Sequence, residues 1–331
     1  MKIAYVISDN CGVSPFNGIR VQAQTWAQEI KRQGHSVDLI SPWMPQAWEQ
    51  YDAIHVFGQY EGTERLLSAL HKYNKNIYFS PIIDTIQPIW KYKIVAHLCL
   101  EKLRMGTLNS IVRHSDPFIK RWIVRSNYEF DYVHKAYGIN KDKIKIIPLS
   151  FRLSNTSTSI QKENFCLHVS KLTDKRKNVL RLLQAAIKYK IKLVLAGSIS
   201  NESDFQEIKK IIDSNDNITY LGRVADNDLM CLYTKAKVFA LPSINEGVGM
   251  VAVEAAACGC NIVITKIGGP KEYYSGMASE VNPYSVDDIG RAILYEMKKN
   301  DGNKLRDFII SHFNLNTCVN QLILVYGSKI S

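Results

Sequence analysis

Two carboxylates, Glu246 and Glu254, stand in the stretch NEGVGMVAVEAAACGC (residues 245–260), with only glycine, valine, methionine and alanine between them. Residues Val251 to Cys258 have the composition of a helix packed on most sides, where an unpaired ionised carboxylate would be costly. Something must pair with Glu254. The run KVFALP (237–242) reads as a strand, SINEGVG as a loop, and a helix is expected from near Gly249. A helix start behind a glycine-bearing loop is an anion site, because free backbone N–H groups and the helix dipole both favour phosphate. Gly247 and Gly249 let the main chain come close to a ligand. Glu246 lies just before that site, and Glu254 lies about 7 Å further along the helix axis at the usual rise per residue. Carboxylates accept well from sugar hydroxyls. A molecule with hydroxyls, then a pyrophosphate, then more hydroxyls fits: a nucleotide sugar, its ribose on Glu254 and its transferred sugar on Glu246.

Two plainer readings compete. Residues 247–252, GVGMVA, also fit the dinucleotide pattern G-x-G-x-x-G/A. That pattern normally follows the first strand of its domain, with an acid about 20 residues on. Here the next strand runs into VITKIGG, with Lys266 in that region. Alternatively Glu254 is structural, paired with backbone or a buried lysine.

The elements that must position these groups come from the rest of the chain. Its 331 residues suggest two domains, and 46% hydrophobic content can fill two cores. No apolar run is long enough to cross a membrane, and MKIAYVIS reads as a first strand rather than a signal peptide. Seven scattered cysteines without C-x-x-C spacing point to a reducing cytoplasm and no zinc site. Strands are expected at 2–8, 36–41, 53–57, 76–80, 122–126 and 144–148, with helices at 18–33, 61–73, 88–105 and 128–137. SNYE (126–129) has the form of a capping box. The second half repeats the rhythm, with strands at 165–170, 191–197, 218–222, 237–242 and 261–265. Its helices are expected at 178–190, 203–214, 226–235, 249–258, 284–299 and 302–313. Such alternation means α/β domains with parallel sheets. The polar stretch RLSNTSTSIQKEN (152–164) reads as a linker between domains at 1–151 and 165–331, with a return of the last helix to the N-terminal domain left open. Doubly wound sheets bind ligands beyond the C-terminal ends of their strands.

The net charge is +11, and residues 91–125 alone carry eight basic and two acidic residues. Trp90, Tyr92, Phe118 and Trp122 are interleaved with that charge, so 90–125 is a candidate contact with anionic lipid. The bland alternative is a helix with basic residues in water. No nucleic-acid-binding motif stands out.

The spacing Glu246–x7–Glu254 within PSINEGVGMVAVEAAACG resembles the signature of retaining glycosyltransferases of family GT4, with the GT-B fold. NGIRVQAQTWAQEIKRQGHSVDLIS, VSKLTDKRKNVLRLLQAA and ITYLGRVADNDLMCLYTKAKVFALPS match further segments in order, so the resemblance covers nearly the whole chain. It implies two doubly wound Rossmann-like domains facing each other across a cleft. It places the donor pyrophosphate on Lys171 and Lys177, beside Arg176; the family usually has arginine at the first position, and lysine keeps the charge but loses the fork. The base would lie near Gly222, Arg223 and Leu229. Gly18 would approach the donor from the other domain. Family members often carry a histidine near the reacting sugar; YFSPIIDTIQP has none, so either Asp84 occupies that space or the role is absent.

The implied chemistry follows from charge. Sugar–phosphate cleavage builds negative charge on the departing diphosphate, which Lys171, Lys177 and the amides of Val248, Gly249, Met250 and Val251 would stabilise without a metal or cofactor. The diphosphate itself could take the acceptor's proton. The resemblance implies a UDP-sugar before a GDP-sugar, a glycan or lipid-linked glycan acceptor, polysaccharide biosynthesis, and work in the cytoplasm at the membrane face. The rivals are a nucleotide-sugar epimerase or hydrolase, an NAD-dependent oxidoreductase, and a silent binding module.

Overall fold

β-Branched runs alternating with amphipathic segments build two sheets of six parallel strands each in the computed structural model. It describes residues 1–7, 17–41, 43–100, 105–152, 161–300 and 302–327. The chain divides into two units: Met1–Ile83, Gln87–Leu149 and Leu315–Ser331 form the first, Asp84–Ile86 and Ser150–Asn314 the second.

The first unit contains strands β1 (Lys2–Ile7), β2 (Ser36–Leu39), β3 (Ala53–Phe57), β4 (Ile77–Ser80), β5 (Arg121–Val124) and β6 (Ile144–Ile146), in the order β2-β1-β3-β4-β5-β6. Helices α1 (Gly18–Arg32), α2 (Thr63–Tyr73), α3 (Ile89–His97), α4 (Leu108–His114) and α5 (Asn127–Asp131) surround it. Asn17 caps α1, its side chain accepting from the Ile19 amide at 2.9 Å. Every residue of β3 and β4 is buried, as strands covered on both faces require. Ile54, Val56, Ile77, Phe79 and Trp122 form one core with Leu67, Leu70 and Tyr137.

Within that unit His55 bridges strands and helix. Its Nδ1 lies 2.6 Å from the Tyr326 hydroxyl and its Nε2 2.9 Å from Ser80 Oγ. Tyr326 belongs to α12 (Leu315–Gly327), and its carbonyl accepts from the Tyr78 hydroxyl at 2.9 Å. Burial drives the His55 pKa down to about 3, so the ring is neutral.

The second unit has strands β7 (Glu163–Val169), β8 (Leu193–Ala196), β9 (Ile218–Tyr220), β10 (Ala236–Leu241), β11 (Asn261–Thr265) and β12 (Ser279–Val281). Their order is β9-β8-β7-β10-β11-β12, all parallel. Its helices are α6 (Val179–Lys188), α7 (Glu202–Asp213), α8 (Asp226–Lys235), α9 (Met250–Ala257), α10 (Val286–Lys298) and α11 (Gly302–Phe313). The strand order reverses between β7 and β10, and the loops after these two strands border the crevice where such sheets take ligands.

Several local expectations are corrected. The helix predicted over 88–105 ends at His97; Cys99–Leu100 and Met105–Gly106 pair as a short antiparallel ribbon, and residues 101–104 lie outside the described residues. Short apolar runs do not distinguish these outcomes by period. The capping box is half made. Ser126 accepts from the Glu129 amide, but the Glu129 carboxylate turns away to the Arg125 and Ile83 amides at 2.7 and 2.6 Å. Helices α4 and α12 and strand β12 arise where the sequence patterns assign no element. Of the predicted linker 152–164, residues 153–160 lie outside the described residues, and Glu163 already opens β7.

Candidate active site in the second unit

Helix α9 starts at Met250 behind Gly249, whose φ of +73° is left-handed. A Cβ at Gly249 would lie 3.0 Å from Leu241 Cδ2 and 3.4 Å from Glu246 Cγ, so both conformation and space call for glycine. Past this start the helix is almost all alanine and valine. Residues Ala252 to Ala257 are buried, because α9 packs against β10, β11, α8 and α11. Small side chains permit that close packing on several sides. The amides of Ala252 and Val253 are bonded to the Gly249 carbonyl. Those of Val248, Gly249, Met250 and Val251 have no partner among the described residues, which leaves a cluster of donors at the positive end of the helix.

The loop after β7 brings the cations. Lys177 Nζ lies 2.5 Å from Glu246 Oε2, and Ser243 Oγ donates to the same oxygen at 3.2 Å. The two loops are also tied through backbone, the Ile244 amide donating to the Arg176 carbonyl at 2.8 Å. The Lys171 side chain is exposed, with no hydrogen bond or ion pair among the described residues. The Arg176 guanidinium turns to Asp174 at 2.6 Å. Behind the loop, His168 is held between the Ala240 carbonyl and Ser170 Oγ, at 2.8 and 2.7 Å. Burial lowers its pKa to about 4, so it stays neutral.

Glu254 is 2% exposed. The partner that Glu254 finds is Arg152, whose Nε lies 3.0 Å from Glu254 Oε1. Arg152 Nη1 reaches Asp226 Oδ2 at 3.3 Å, linking Glu254 to the start of α8, the helix that carries Leu229. Glu254 Oε2 is buried without a hydrogen-bond partner among the described residues. Burial raises the Glu254 pKa, and Arg152 opposes that rise. Arg152 was missed because it opens a polar segment that reads as linker. The signal available was the buried carboxylate's need for a counter-ion.

Gly222 adopts φ +70° beside open space, and its carbonyl accepts from the Gly197 amide at 2.8 Å. Arg223 follows it. Gly18 is the first residue of α1 in the other unit. Asp84 groups with the second unit, its carbonyl accepting from Asn245 Nδ2 at 3.3 Å. Two residues before Asp84, Ile82 holds φ +59°, a left-handed conformation that is strained for a β-branched side chain. A separate cavity of about 520 Å3 opens between the loop 172–175, α6 and α7, lined in part by Leu172, Asp174, Arg181 and Glu207. None of Lys171, Lys177, Glu246 and Glu254 borders it, so the loop-and-helix geometry, not cavity volume, identifies the candidate site.

Residues 151–311, just under half of the chain, match the family model for glycosyl transferases group 1. The O-antigen chain mannosyltransferase RfbU of Salmonella typhimurium is 27% identical over 157 residues, 46% of this chain and 44% of that protein. The alignment thus spans less than half of that relative's length. Sucrose-phosphate synthase from Thermosynechococcus elongatus superposes with a TM-score of 0.76 over 98% of both chains at 17% identity. Anabaena HepE, solved in complex with UDP and glucose, gives 0.71 over 99% of this chain and 100% of that one at 15% identity. At such identities the structural likeness carries the fold alone, and the fold is GT-B, as the sequence predicts.

Proposed function

We propose, from the match of residues 151–311 to the group 1 glycosyl transferases, that the whole chain is a retaining, metal-independent glycosyltransferase using a nucleoside diphosphate sugar. The observation that carries this reading is the meeting of Lys177 and Glu246 beside the unpartnered amides of residues 248–251. A diphosphate at the α9 start would face Lys177 and those amides, which are held in place before the reaction, and the exposed Lys171 side chain would reach it by turning in. Charge developing on the leaving diphosphate would then be stabilised by the held groups without reorganisation. Glu246 would accept from hydroxyls of the transferred sugar and Glu254 from the ribose.

UDP is placed before GDP as the nucleotide, supported by the UDP bound to HepE. A glycan or lipid-linked glycan acceptor in polysaccharide biosynthesis is supported by the O-antigen role named for RfbU. Of the aromatics expected to meet lipid, Tyr92 and Trp122 are buried in the core and Phe118 packs against it, so a cytoplasmic enzyme resting on the inner face of an anionic membrane would use the surface of α3 and its C-terminal end. Trp90, Ile94 and Leu98 recur at four-residue spacing and are each more than half exposed, with Lys91 and Lys93 between them. The test is a panel of UDP- and GDP-sugars screened by ligand-detected NMR, followed by assay of the binder for transfer. Saturation transfer from one nucleotide class is expected. Absence of binding by every member of both classes would overturn the reading.

A further inference from the structure

Arg152 and the second oxygen of Glu254 form a pair of facts that the donor reading leaves unused. The guanidinium takes only Oε1, at 3.0 Å, and spends another nitrogen on Asp226. Among the described residues, Oε2 is left buried and without a hydrogen-bond partner. An orphaned buried acceptor is disfavoured, most of all on a charged group, so its persistence calls for an occupant. The occupant must be a hydrogen-bond donor, and it must reach the middle of α9, one turn in from the cluster of free amides.

We propose that Arg152 is a positioning residue for the donor: it holds one oxygen of Glu254 so that the other is kept for a ribose hydroxyl. This rests on the nucleotide-sugar reading of the same site. Arg152 does two things at once. Its charge favours the carboxylate form in a place where burial favours the neutral acid, and its bond fixes the rotamer. The other titratable groups facing Glu254 are Asp226 and Tyr233, both on α8. Neither supplies positive charge, so Arg152 carries that role among the described residues. Arginine suits it because the guanidinium stays charged and spans two carboxylates with separate nitrogens.

The test measures dissociation constants of uridine and guanosine diphosphate, and of their 2′,3′-dideoxy forms, for wild type, Arg152→Gln, Arg152→Lys and Glu254→Gln. The nucleotide that wild type binds more tightly is then followed. Arg152→Gln is expected to weaken that diphosphate by about ten- to a hundredfold, the range of a charge-assisted hydrogen bond. The dideoxy form should change by less than about threefold, since it never uses Glu254. Affinity of the glutamine variant should partly recover as pH rises, because burial raises the Glu254 pKa and the variant lacks the opposing charge, and the lysine variant should lie between glutamine and wild type. A general structural role would weaken both nucleotide forms alike. That result overturns the proposal, as does unchanged or tighter binding, the sign of an arginine that merely blocks the site. If Arg152→Gln does not fold, the ratio of ribose to dideoxy binding in Arg152→Lys decides in the same way. Glu254→Gln separates the levels. If it binds as wild type does, the ribose assignment falls and this proposal with it; if it weakens binding while Arg152→Gln does not, this proposal alone falls.

Discussion

Lys177 and Glu246 meet at 2.5 Å although 69 residues separate them in sequence, one reaching from the loop after the first strand of its sheet and the other from the loop after the fourth. In the absence of donor each neutralises the other. A diphosphate arriving at the α9 start would share the ammonium. Lys177→Ala is therefore expected to lower turnover by roughly 2–4 kcal/mol in barrier. Glu246→Ala should lower turnover with little change in nucleotide affinity, whereas Glu254→Ala should weaken nucleotide binding. The Lys177 and Glu246 changes should fall short of additivity by about 0.5–3 kcal/mol, because the residues touch. Rates of nucleoside diphosphate release in the single and double variants measure the coupling, and calorimetric titration with UDP measures the binding.

Two glycines in the second unit should respond in opposite measure to alanine. At Gly222 the backbone is left-handed but the space is open, so Gly222→Ala should cost about 1–2 kcal/mol of stability and leave a folded protein. At Gly197 a Cβ would sit 1.7 Å from the Ser170 carbonyl oxygen. Gly197→Ala must displace the main chain next to Lys171 and should yield insoluble protein or a large loss of melting temperature. Thermal unfolding of the two variants checks the contrast.

Each unit holds one buried neutral histidine, His55 and His168, with pKa values lowered to about 3 and about 4 by burial. The unfolded chain protonates both near pH 6.5. Below that value the unfolded state binds a proton that the folded state refuses, so stability falls with pH. Each unit should lose about 1.4 kcal/mol per pH unit from its own histidine, starting near pH 6.5. The loss should level off near pH 4 for His168 and near pH 3 for His55. Urea midpoints at pH 7, 6 and 5 should decline accordingly, and His55→Gln and His168→Asn should flatten the decline.

Glu129 is 2% exposed and takes the Arg125 side chain together with the amides of Arg125 and Ile83. Removing it takes the carboxylate from a buried guanidinium and the acceptor from two N–H groups. Glu129→Ala should destabilise the first unit by about 3–5 kcal/mol, the cost of breaking a buried pair from one side. It should also release the strained backbone at Ile82. Denaturant titration gives the first effect, and proteolysis within residues 81–88 gives the second.

The surface of α3 predicts a lipid dependence. Trp90→Ser with Ile94→Ser should reduce sedimentation with vesicles containing anionic phosphatidylglycerol while leaving the melting temperature within about 1 kcal/mol equivalent, since both side chains are mostly exposed. Lys91→Glu with Lys93→Glu should do the same more strongly at low salt. Equal sedimentation of wild type and both variants would remove the membrane from the picture.

Much of this was legible because it rests on local pattern. Period-two and period-3.6 runs locate most strands and helices, and the spacing of Glu246 and Glu254 around a glycine-bearing helix start marks the candidate phosphate site. What was hidden is long-range pairing. Nothing near Glu254 in sequence names Arg152, 102 residues away, and nothing near His55 names Tyr326. The SNYE motif carried its usual local meaning only in half, because Glu129 found better partners across the fold. Strand β12 escaped detection as three residues with one buried side chain.

The docking of Tyr326 against His55 sets an order for biosynthesis. The first unit draws a helix from residues 315–327, so its early strands must wait for residues up to Tyr326, 271 positions past His55, to emerge from the ribosome before their buried imidazole finds its phenol. A fragment stopping at residue 149 would be a sheet with an exposed flank, prone to chaperone capture or precipitation, however intact its own strands.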